Sequence, residues 1–562
     1  MFLTRKKTMA NNKLFHFIIV FFVWATIYLP SLGVPQVAFD EHKRILPAMT
    51  MLETGNWAMP ELAGTDYFNK PPLINWMIAS SFILTGGQSD FSARLPSVIS
   101  ILLFCLLVLF LKSSFLSEQG KLFSALIFLT SFSLIFKGRQ AEIDASYTCF
   151  TGASIYLWVN FRHDGLKWLT WTIPFIVIGF GLLLKGPMIL LFFYVVVISV
   201  LSSYKSKKEL LSFRHFIGII LMLGIFFSWF AFVYQKSESS GDPTMASIWS
   251  HELLLRFKDN INPFKWAGRV LSAIGTFAPW LIFIPFMWKK EWIEAIDEKD
   301  RFLFKACRFG AVLGFVLVCL MPGTRGRYSM PAFAFLSIVL GWFLSCQKDR
   351  LSIEKIWKLI ISYLFSILVI FFNLSALSII ISTLVNIPSK LAEIMNSFKS
   401  PLALSTLLFG LIIVNFTISL FFRRRNETAG FEKLIVHSSL MIVCAVLFYS
   451  VIILPIIPIN PNYRLIGADI NQKTEKNAEI WAFKVTSEHF LVYIRHPVKH
   501  IYKLHDLPDN ARYFLLEKSQ YDENGIYPFF TDRKPNYLGL IKADKREFVF
   551  LKLNENYVRK QK

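Results

Sequence analysis

Apolar windows of about 20 residues, enough to cross a hydrocarbon core of roughly 30 Å as a helix, recur from near the N-terminus to about residue 454. Roughly thirteen can be counted. The first runs from Leu14 to about Gly33, later ones cover Leu95 to Leu111 and about Leu122 to Phe136, and two between Trp168 and Val200 are parted only by Lys185-Gly186-Pro187. Between Glu41 and Gly87 the pattern changes. Ile45, Met49 and Leu52, and then Ile74, Met77, Ile78 and Phe82, fall on single helical faces, which predicts amphipathic helices in the membrane interface with Trp57, Tyr67 and Trp76 at headgroup level. From about Asn460 the chain turns charged and polar, with strand-like runs at His489 to Ile494, Arg512 to Leu516 and Glu547 to Lys552, and a turn at Glu523-Asn524-Gly525. The pattern predicts a mostly α, polytopic membrane helical bundle over residues 1–458, with its first outer loop at 35–94, and a small α/β soluble domain over 459–562.

Composition agrees with this class, because 54% of the 562 residues are apolar and only 17% are charged, against about a quarter charged in soluble domains. The net charge of +22 raises nucleic acid as a partner. Its distribution argues against that. Lys and Arg cluster in alternate short loops: Lys112 with Lys121, Arg162 with Lys167, Lys205 to Lys208 with Arg214, Lys289 to Lys305, Lys348 to Lys358, and Arg423 to Arg425. This positive-inside bias places those loops and the N-terminus in the cytoplasm. The apolar stretch after Arg5, Lys6, Lys7 and Lys13 is longer than a signal h-region and reads as a retained helix. Six cysteines lie in or beside apolar segments, as buried small hydrophobes do.

Counting spans from a cytoplasmic N-terminus puts Asp40, the break Lys137 to Asp144, Lys185, the loop 235–265, the corner 322–327 and the C-terminal domain on the outer face. That face collects the candidate chemistry. Asp40 and Glu41 suit a helix N-terminus, but Glu142 and Asp144 beside Arg139 form a second acidic loop on the same side. Two such loops can deprotonate an acceptor or hold a cation. Lys70 before Pro71-Pro72, and Lys185 before Gly186-Pro187, read singly as snorkelling anchors; with Arg139 and Arg256 they form a set suited to a phosphate. His251-Glu252 lacks HExxH spacing and has no Cys pair nearby, so a structural histidine is the plainer reading. Arg325-Gly326-Arg327-Tyr328 marks another basic corner, readable as an interfacial anchor.

Phe39-Asp40-Glu41, Met51-Leu52-Glu53-Thr54-Gly55-Asn56-Trp57, Tyr67-Phe68-Asn69-Lys70-Pro71-Pro72-Leu73, Ala93-Arg94-Leu95-Pro96-Ser97, Leu184-Lys185-Gly186-Pro187 and Arg327-Tyr328-Ser329-Met330-Pro331 together resemble the GT-C glycosyltransferases of the bacterial aminoarabinose transferase and protein mannosyltransferase superfamily. The resemblance covers the first two-thirds of the chain; the C-terminal domain resembles the family's only in position and size. It implies an inner-membrane enzyme that moves a sugar from a polyprenyl (undecaprenyl) phosphate donor, with inversion, to a lipid A, lipopolysaccharide or other envelope acceptor on the periplasmic face. It further implies Asp40 as catalytic base, Asp144 as the second acidic position with Glu142 beside it, and Lys70 and Lys185 near the donor phosphate. Arg139 and Arg256 join the phosphate set, and Glu41, Glu142, His251 and Tyr328 the substrate set. The run Thr324-Arg325-Gly326-Arg327 departs from the family's corner, which leaves the role of Arg325 open. No cofactor is required by this chemistry, and a divalent cation stays open. The competing classes are a polyprenyl-linked lipid flippase or transporter, whose ionisable groups belong near the bilayer midplane, a protein O-mannosyltransferase, and a scaffold whose carboxylates only cap helices.

Overall fold

The structure, a computed structural model, describes residues 2–67, 69–237, 263–321, 323, 325–347, 351–384, 401–423, 431–457, 459–485, 488–508, 510–522, 535–543 and 546–553. The chain separates into two compact units. A helical unit comprises Met1–Leu32, Asn69–Ile74 and Arg94–Ile456, and a sheet unit comprises Gly33–Phe68, Asn75–Ala93 and Ile457–Lys562. Most of the first loop, apart from Asn69–Ile74 and Arg94, is thus grouped with the C-terminal residues rather than with the helices.

Ten helices open the chain: α1 (Phe2–Tyr28), α2 (His42–Thr54), α3 (Leu73–Thr85), α4 (Asp90–Phe110), α5 (Glu118–Leu129), α6 (Phe132–Lys137), α7 (Ile143–His163), α8 (Lys167–Lys185), α9 (Met188–Ser203) and α10 (Phe213–Ser237). Among the described residues seven helical stretches are long and apolar enough to cross a membrane: Asp90–Phe110, Lys167–Lys185, Phe213–Tyr234, Glu298–Leu320, Gly326–Ser345, Ile360–Ile381 and Phe431–Ile456. The pair Pro263–Gly275 and Trp280–Trp288, bent by 87°, makes an eighth if taken as one span. Lys13–Tyr28, Met188–Ser203 and Leu404–Ser419 are apolar but shorter, so length and composition do not reach the expected thirteen. Phe213–Tyr234 and Ile360–Ile381 bury only 22% of their apolar windows inside the protein, as expected of helices whose other faces meet lipid.

The core of the helical unit is the helix Met330–Ser345, buried from Met330 through Leu344 and packed on α5 and α7. Its sequence is apolar on all sides, which suits burial on all sides. Small residues set how close it comes: a Cβ on Gly341 would fall 2.3 Å from Ser124 Oγ, and one on Gly152 of α7 would fall 2.3 Å from Ala334 Cβ.

The expected single span over Leu122 to Phe136 is broken into α5 and α6. Thr130 and Ser131 turn their hydroxyls back to Leu126 and Ile127 carbonyls, at 2.5 and 2.7 Å. The N–H groups freed at the break go to another segment: Phe132 donates to Ala278 O and Ser133 to Thr276 O, each at 3.0 Å. The short α6 then delivers Lys137 into the polar loop.

In the sheet unit, a five-stranded mixed sheet runs in the order β4-β3-β5-β7-β6, with β3 Ile480–Phe483, β4 Val498–Ile501, β5 Tyr513–Glu517, β6 Asn536–Ala543 and β7 Arg546–Lys552. A two-stranded ribbon, β1 Glu61–Leu62 with β2 Thr65–Asp66, lies in the first loop. β3 is parallel to β4 and β5, and β7 is antiparallel to β5 and β6. Alternation along the strands gives two cores: Tyr513, Leu515, Phe548 and Phe550 on one face, Phe514, Leu516, Val549 and Leu551 on the other. Helix Tyr463–Lys473 covers the first face through Tyr463 and Ile470, and Leu46 of α2 packs there too.

The runs at Arg512 to Leu516 and Glu547 to Lys552 are strands, whereas His489 to Ile494 is corrected to a 3-10 turn, His489–Tyr493. Its backbone closes on itself, Leu491 N donating to Glu488 O at 3.3 Å and Ile494 N to Leu491 O at 3.2 Å, rather than pairing with a neighbouring strand. The turn Glu523-Asn524-Gly525 lies outside the described residues. In the first loop Ile45, Ile74, Ile78 and Phe82 are buried, as their helical spacing predicts. Trp76 Nε1 donates to Trp57 O at 2.6 Å, and Arg44 donates to Tyr67 Oη at 2.9 Å, so these aromatics brace the sheet unit internally.

Candidate active site

A charged cluster forms inside the helical unit where α6 ends, α7 begins and α8 ends. Lys137, the last residue of α6, places its ammonium 3.0 Å from both carboxylate oxygens of Glu142 and 2.8 Å from Gln140 Oε1. The intervening loop is pinned from α4, where Ser97 Oγ donates to Gln140 O at 2.8 Å. Glu142 precedes α7 in an extended conformation, and Asp144 sits in its first turn, where helix N–H groups favour a carboxylate.

Lys185 is the last residue of α8, where the helix end favours a cation. Gly186 follows at φ 88° and ψ −161°, a region that a side chain excludes. The glycine thereby turns the chain away at once and leaves the Lys185 ammonium paired with Asp144. The ammonium also lies 4.8 Å above the Tyr328 ring and 5.7 Å from that of Tyr147. Tyr147 is fixed in turn by its hydroxyl bond to Gly186 O at 3.1 Å.

Arg327, from the turn Gly326–Ser329, joins the two carboxylates. Its Nη1 lies 3.2 Å from Glu142 Oε2 and its Nε 3.7 Å from Asp144 Oδ2. The side chains of Glu142 and Asp144 are 3% and 7% exposed, those of Lys137 and Lys185 11% and 12%, and that of Arg327 21%. Burial pushes the Glu142 carboxyl above its usual range, against the pull of Lys137. Among the described residues three cations thus face two carboxylates. Ammonium and guanidinium groups gathered at one place are the donors that recognise a phosphate.

Glu142, Asp144, Lys185 and Tyr328 are therefore brought together, and Lys137 and Arg327 are members that sequence reasoning passed over. Arg139 has other employment in the same unit. Its guanidinium donates to Ile27 O at 2.9 Å, to Ser450 Oγ at 2.7 Å and to Pro30 O, satisfying carbonyls at the end of α1. Lys70 Nζ donates to Asn69 O at 2.8 Å. His251 and Arg256 lie outside the described residues.

Asp40 and Glu41 belong to the sheet unit, at the start of α2. Glu41 is 1% exposed and its Oε2 accepts from Ala38 N at 2.9 Å, a structural tie. Asp40 is half-buried and pairs with Lys43 at 3.0 Å. Phe39, just before it, is held at φ 53°, a conformation a bulky side chain resists. Among the described residues no group of three His, Cys, Asp or Glu is placed to hold a metal ion.

Residues 69–232 match the family model for dolichyl-phosphate-mannose-protein mannosyltransferase. An undecaprenyl phosphate-alpha-4-amino-4-deoxy-L-arabinose arabinosyl transferase of Pectobacterium carotovorum is 26% identical over 60% of this chain and 61% of its own length. One from Pseudomonas fluorescens is 26% identical over 56% of each. The chain thus spans about three-fifths of the length of the curated relatives it matches. The crystal structure of ArnT from Cupriavidus metallidurans bound to undecaprenyl phosphate superposes with a TM-score of 0.64 at 17% identity, over 96% of this chain and 97% of that one. The chain has the ArnT fold and is a multi-pass membrane protein, and the GT-C resemblance read from its motifs is borne out.

Proposed function

We propose that this chain is an inverting membrane glycosyltransferase that takes a sugar from an undecaprenyl phosphate donor and passes it to a lipid A-type envelope acceptor at the periplasmic face of the inner membrane. The observation that carries the reading is the gathering of Lys137, Lys185 and Arg327 around Glu142 and Asp144, in a chain with the fold of a protein crystallised with undecaprenyl phosphate. The relatives' names supply the candidate sugar, 4-amino-4-deoxy-L-arabinose.

The chemistry follows from charge. A sugar phosphodiester carries one negative charge, and breaking the sugar–oxygen bond leaves a phosphate monoester that gains a second. Lys185 and Arg327, with Lys137 behind Glu142, offer the compensating charge where the leaving group develops it. Glu142 and Asp144 hold those cations in place. Asp40 acts as the base, taking the proton from the acceptor hydroxyl as it attacks from the opposite face of the sugar. Lys70 and Arg256 are further phosphate ligands, and Tyr328 and His251 contact substrate. Arg139 is assigned instead to holding the end of α1. No step in this scheme needs a cofactor or metal ion. The positive-inside count supports a cytoplasmic N-terminus and a periplasmic sheet unit.

The test supplies purified full-length protein with undecaprenyl phosphate-linked 4-amino-4-deoxy-L-arabinose, radiolabelled in the sugar, and lipid A. Label on lipid A together with free undecaprenyl phosphate supports transfer. Movement of the intact donor between leaflets of a vesicle, without bond cleavage, would identify a flippase instead.

A further inference from the structure

The seven residues that lead into Asp40 are fastened almost one by one, and within the sheet unit the groups that fasten them come from residues 461–493. Arg464 donates to the carbonyls of Gly33, Val34 and Pro35 at 2.8, 2.9 and 3.0 Å, and its Nε bonds Asp90 at 2.9 Å. Gln36 donates to Pro461 O and accepts from Tyr463 N, both at 2.8 Å. Val37 N donates to Tyr493 Oη at 2.7 Å, and that hydroxyl donates onward to Asp90 at 3.0 Å. Phe39 O accepts from His489 Nε2 at 2.9 Å. Ala38, the remaining residue, donates to Glu41 within the loop.

His489 and Tyr493 stand at the two ends of one 3-10 turn and grip alternate residues, Phe39 and Val37, of the segment. The imidazole is itself sandwiched: the Tyr463 ring stacks on it at 5.3 Å and 11°, and the His42 ring lies 4.1 Å away. A carbonyl only accepts, so Nε2 carries the proton and the ring is held in one orientation. The bond falls on the left-handed Phe39, where the backbone would otherwise relax, and such a conformation persists only when its surroundings over-determine it.

We propose that His489 is a positioning residue for Asp40, and that the segment 461–493 serves catalysis as a clamp on the loop that carries the base. Removing the His489 donor takes away one of the bonds on the Phe39 backbone, to which His42 also hydrogen-bonds, and loosens the peptide that sets the Asp40 carboxylate without removing any group that touches substrate. This rests on the reading of Asp40 as the base. A clamp acts on attack geometry, so its loss lowers kcat and leaves donor affinity alone.

The experiment compares His489→Phe, which keeps the ring stack and removes the donor, with His489→Gln, which restores an N–H of similar reach. Both are assayed as full-length protein with undecaprenyl phosphate-linked aminoarabinose and lipid A, and amide hydrogen exchange is followed over residues 37–41. His489→Phe should lower kcat tenfold or more with donor KM within about twofold, and exchange at Ala38 and Glu41 should quicken. His489→Gln should recover most of kcat. Parental kcat in His489→Phe, or an equal loss in both variants, overturns the proposal. If the parent protein shows no transfer, the functional reading fails and exchange alone decides the clamp, with unchanged rates overturning it. Should His489→Phe not fold, Tyr493→Phe, which releases Val37 N, is read by the same exchange criterion.

Discussion

Lys137 Nζ lies equidistant, at 3.0 Å, from the two carboxylate oxygens of Glu142, a bifurcated pair that closes the loop between α6 and α7. Arg327 reaches the same carboxylate at 3.2 Å from a turn 185 residues away in sequence. Glu142 is thus a counter-charge shared by two half-buried cations. Glu142→Ala should cost up to about 3 kcal/mol, because removing the shared carboxylate leaves both cations with fewer partners. Thermal unfolding in detergent measures it, and Glu142→Gln should lose less.

Lys185 pairs with Asp144, and in the proposed scheme its ammonium meets the charge that develops on the leaving phosphate. Lys185→Met should lower kcat/KM for the donor by about a hundredfold or more, the scale of a lost charge-assisted contact of roughly 3 kcal/mol. Lys185→Arg should recover part of that loss, since the cation returns in a different shape. Steady-state kinetics at varied donor concentration separate the two.

Gly186 tests whether the position of Lys185 matters as well as its charge. At φ 88° nothing lies within 4 Å of where a Cβ would stand, so Gly186→Ala meets backbone strain and no clash. The substitution should cost about 1–3 kcal/mol. Activity should fall while expression and membrane insertion persist.

His42 gives the sheet unit a pH dependence. Burial, followed by the neighbouring His489 and Lys43, lowers its imidazole to about 3, against the pull of Asp40. His500 is lowered in the same sense, to about 4, by burial. Each folded-state value lies below the ordinary value of about 6.5. The unfolded chain therefore binds protons that the folded one refuses. Stability is full above about pH 6.5 and falls as pH drops toward 4 and then 3, by up to about 1.4 kcal/mol per pH unit for each histidine. Unfolding midpoints between pH 7 and 4 measure the slope, and His42→Phe should flatten it.

Much of this arrangement was legible in the sequence, since hydropathy marks helices whose partners are lipid and each other. α8 and α9 break at Lys185-Gly186-Pro187 because the glycine and proline forbid continuation. The break between α5 and α6 carried no such punctuation. It exists because residues 276 and 278 offer carbonyls to the freed N–H groups, and a partner some 140 residues distant leaves no local trace. Glu142, Asp144 and Lys185 stood out as charges among apolar residues. Arg139 stood out equally, yet its guanidinium serves the end of α1, a destination that composition cannot distinguish from a ligand. Lys137 and Arg327 were hidden by ordinary settings, a helix C-terminus and an interfacial corner. The clamp on Asp40 was the least visible feature, because it joins the first loop to residues more than 400 positions later through backbone carbonyls that no side-chain pattern encodes.

Bond cleavage at a lipid-linked sugar, with Asp40 as the proposed base, is the step on which every role above depends. Its most direct test is mass spectrometry of products from purified parent and Asp40→Asn proteins, each given undecaprenyl phosphate-linked 4-amino-4-deoxy-L-arabinose and lipid A. The parent should yield undecaprenyl phosphate and aminoarabinosylated lipid A in equal amounts, and Asp40→Asn, still folded, should fall by at least a hundredfold. Equal turnover by the two proteins, or an untouched donor with the parent, would contradict the account.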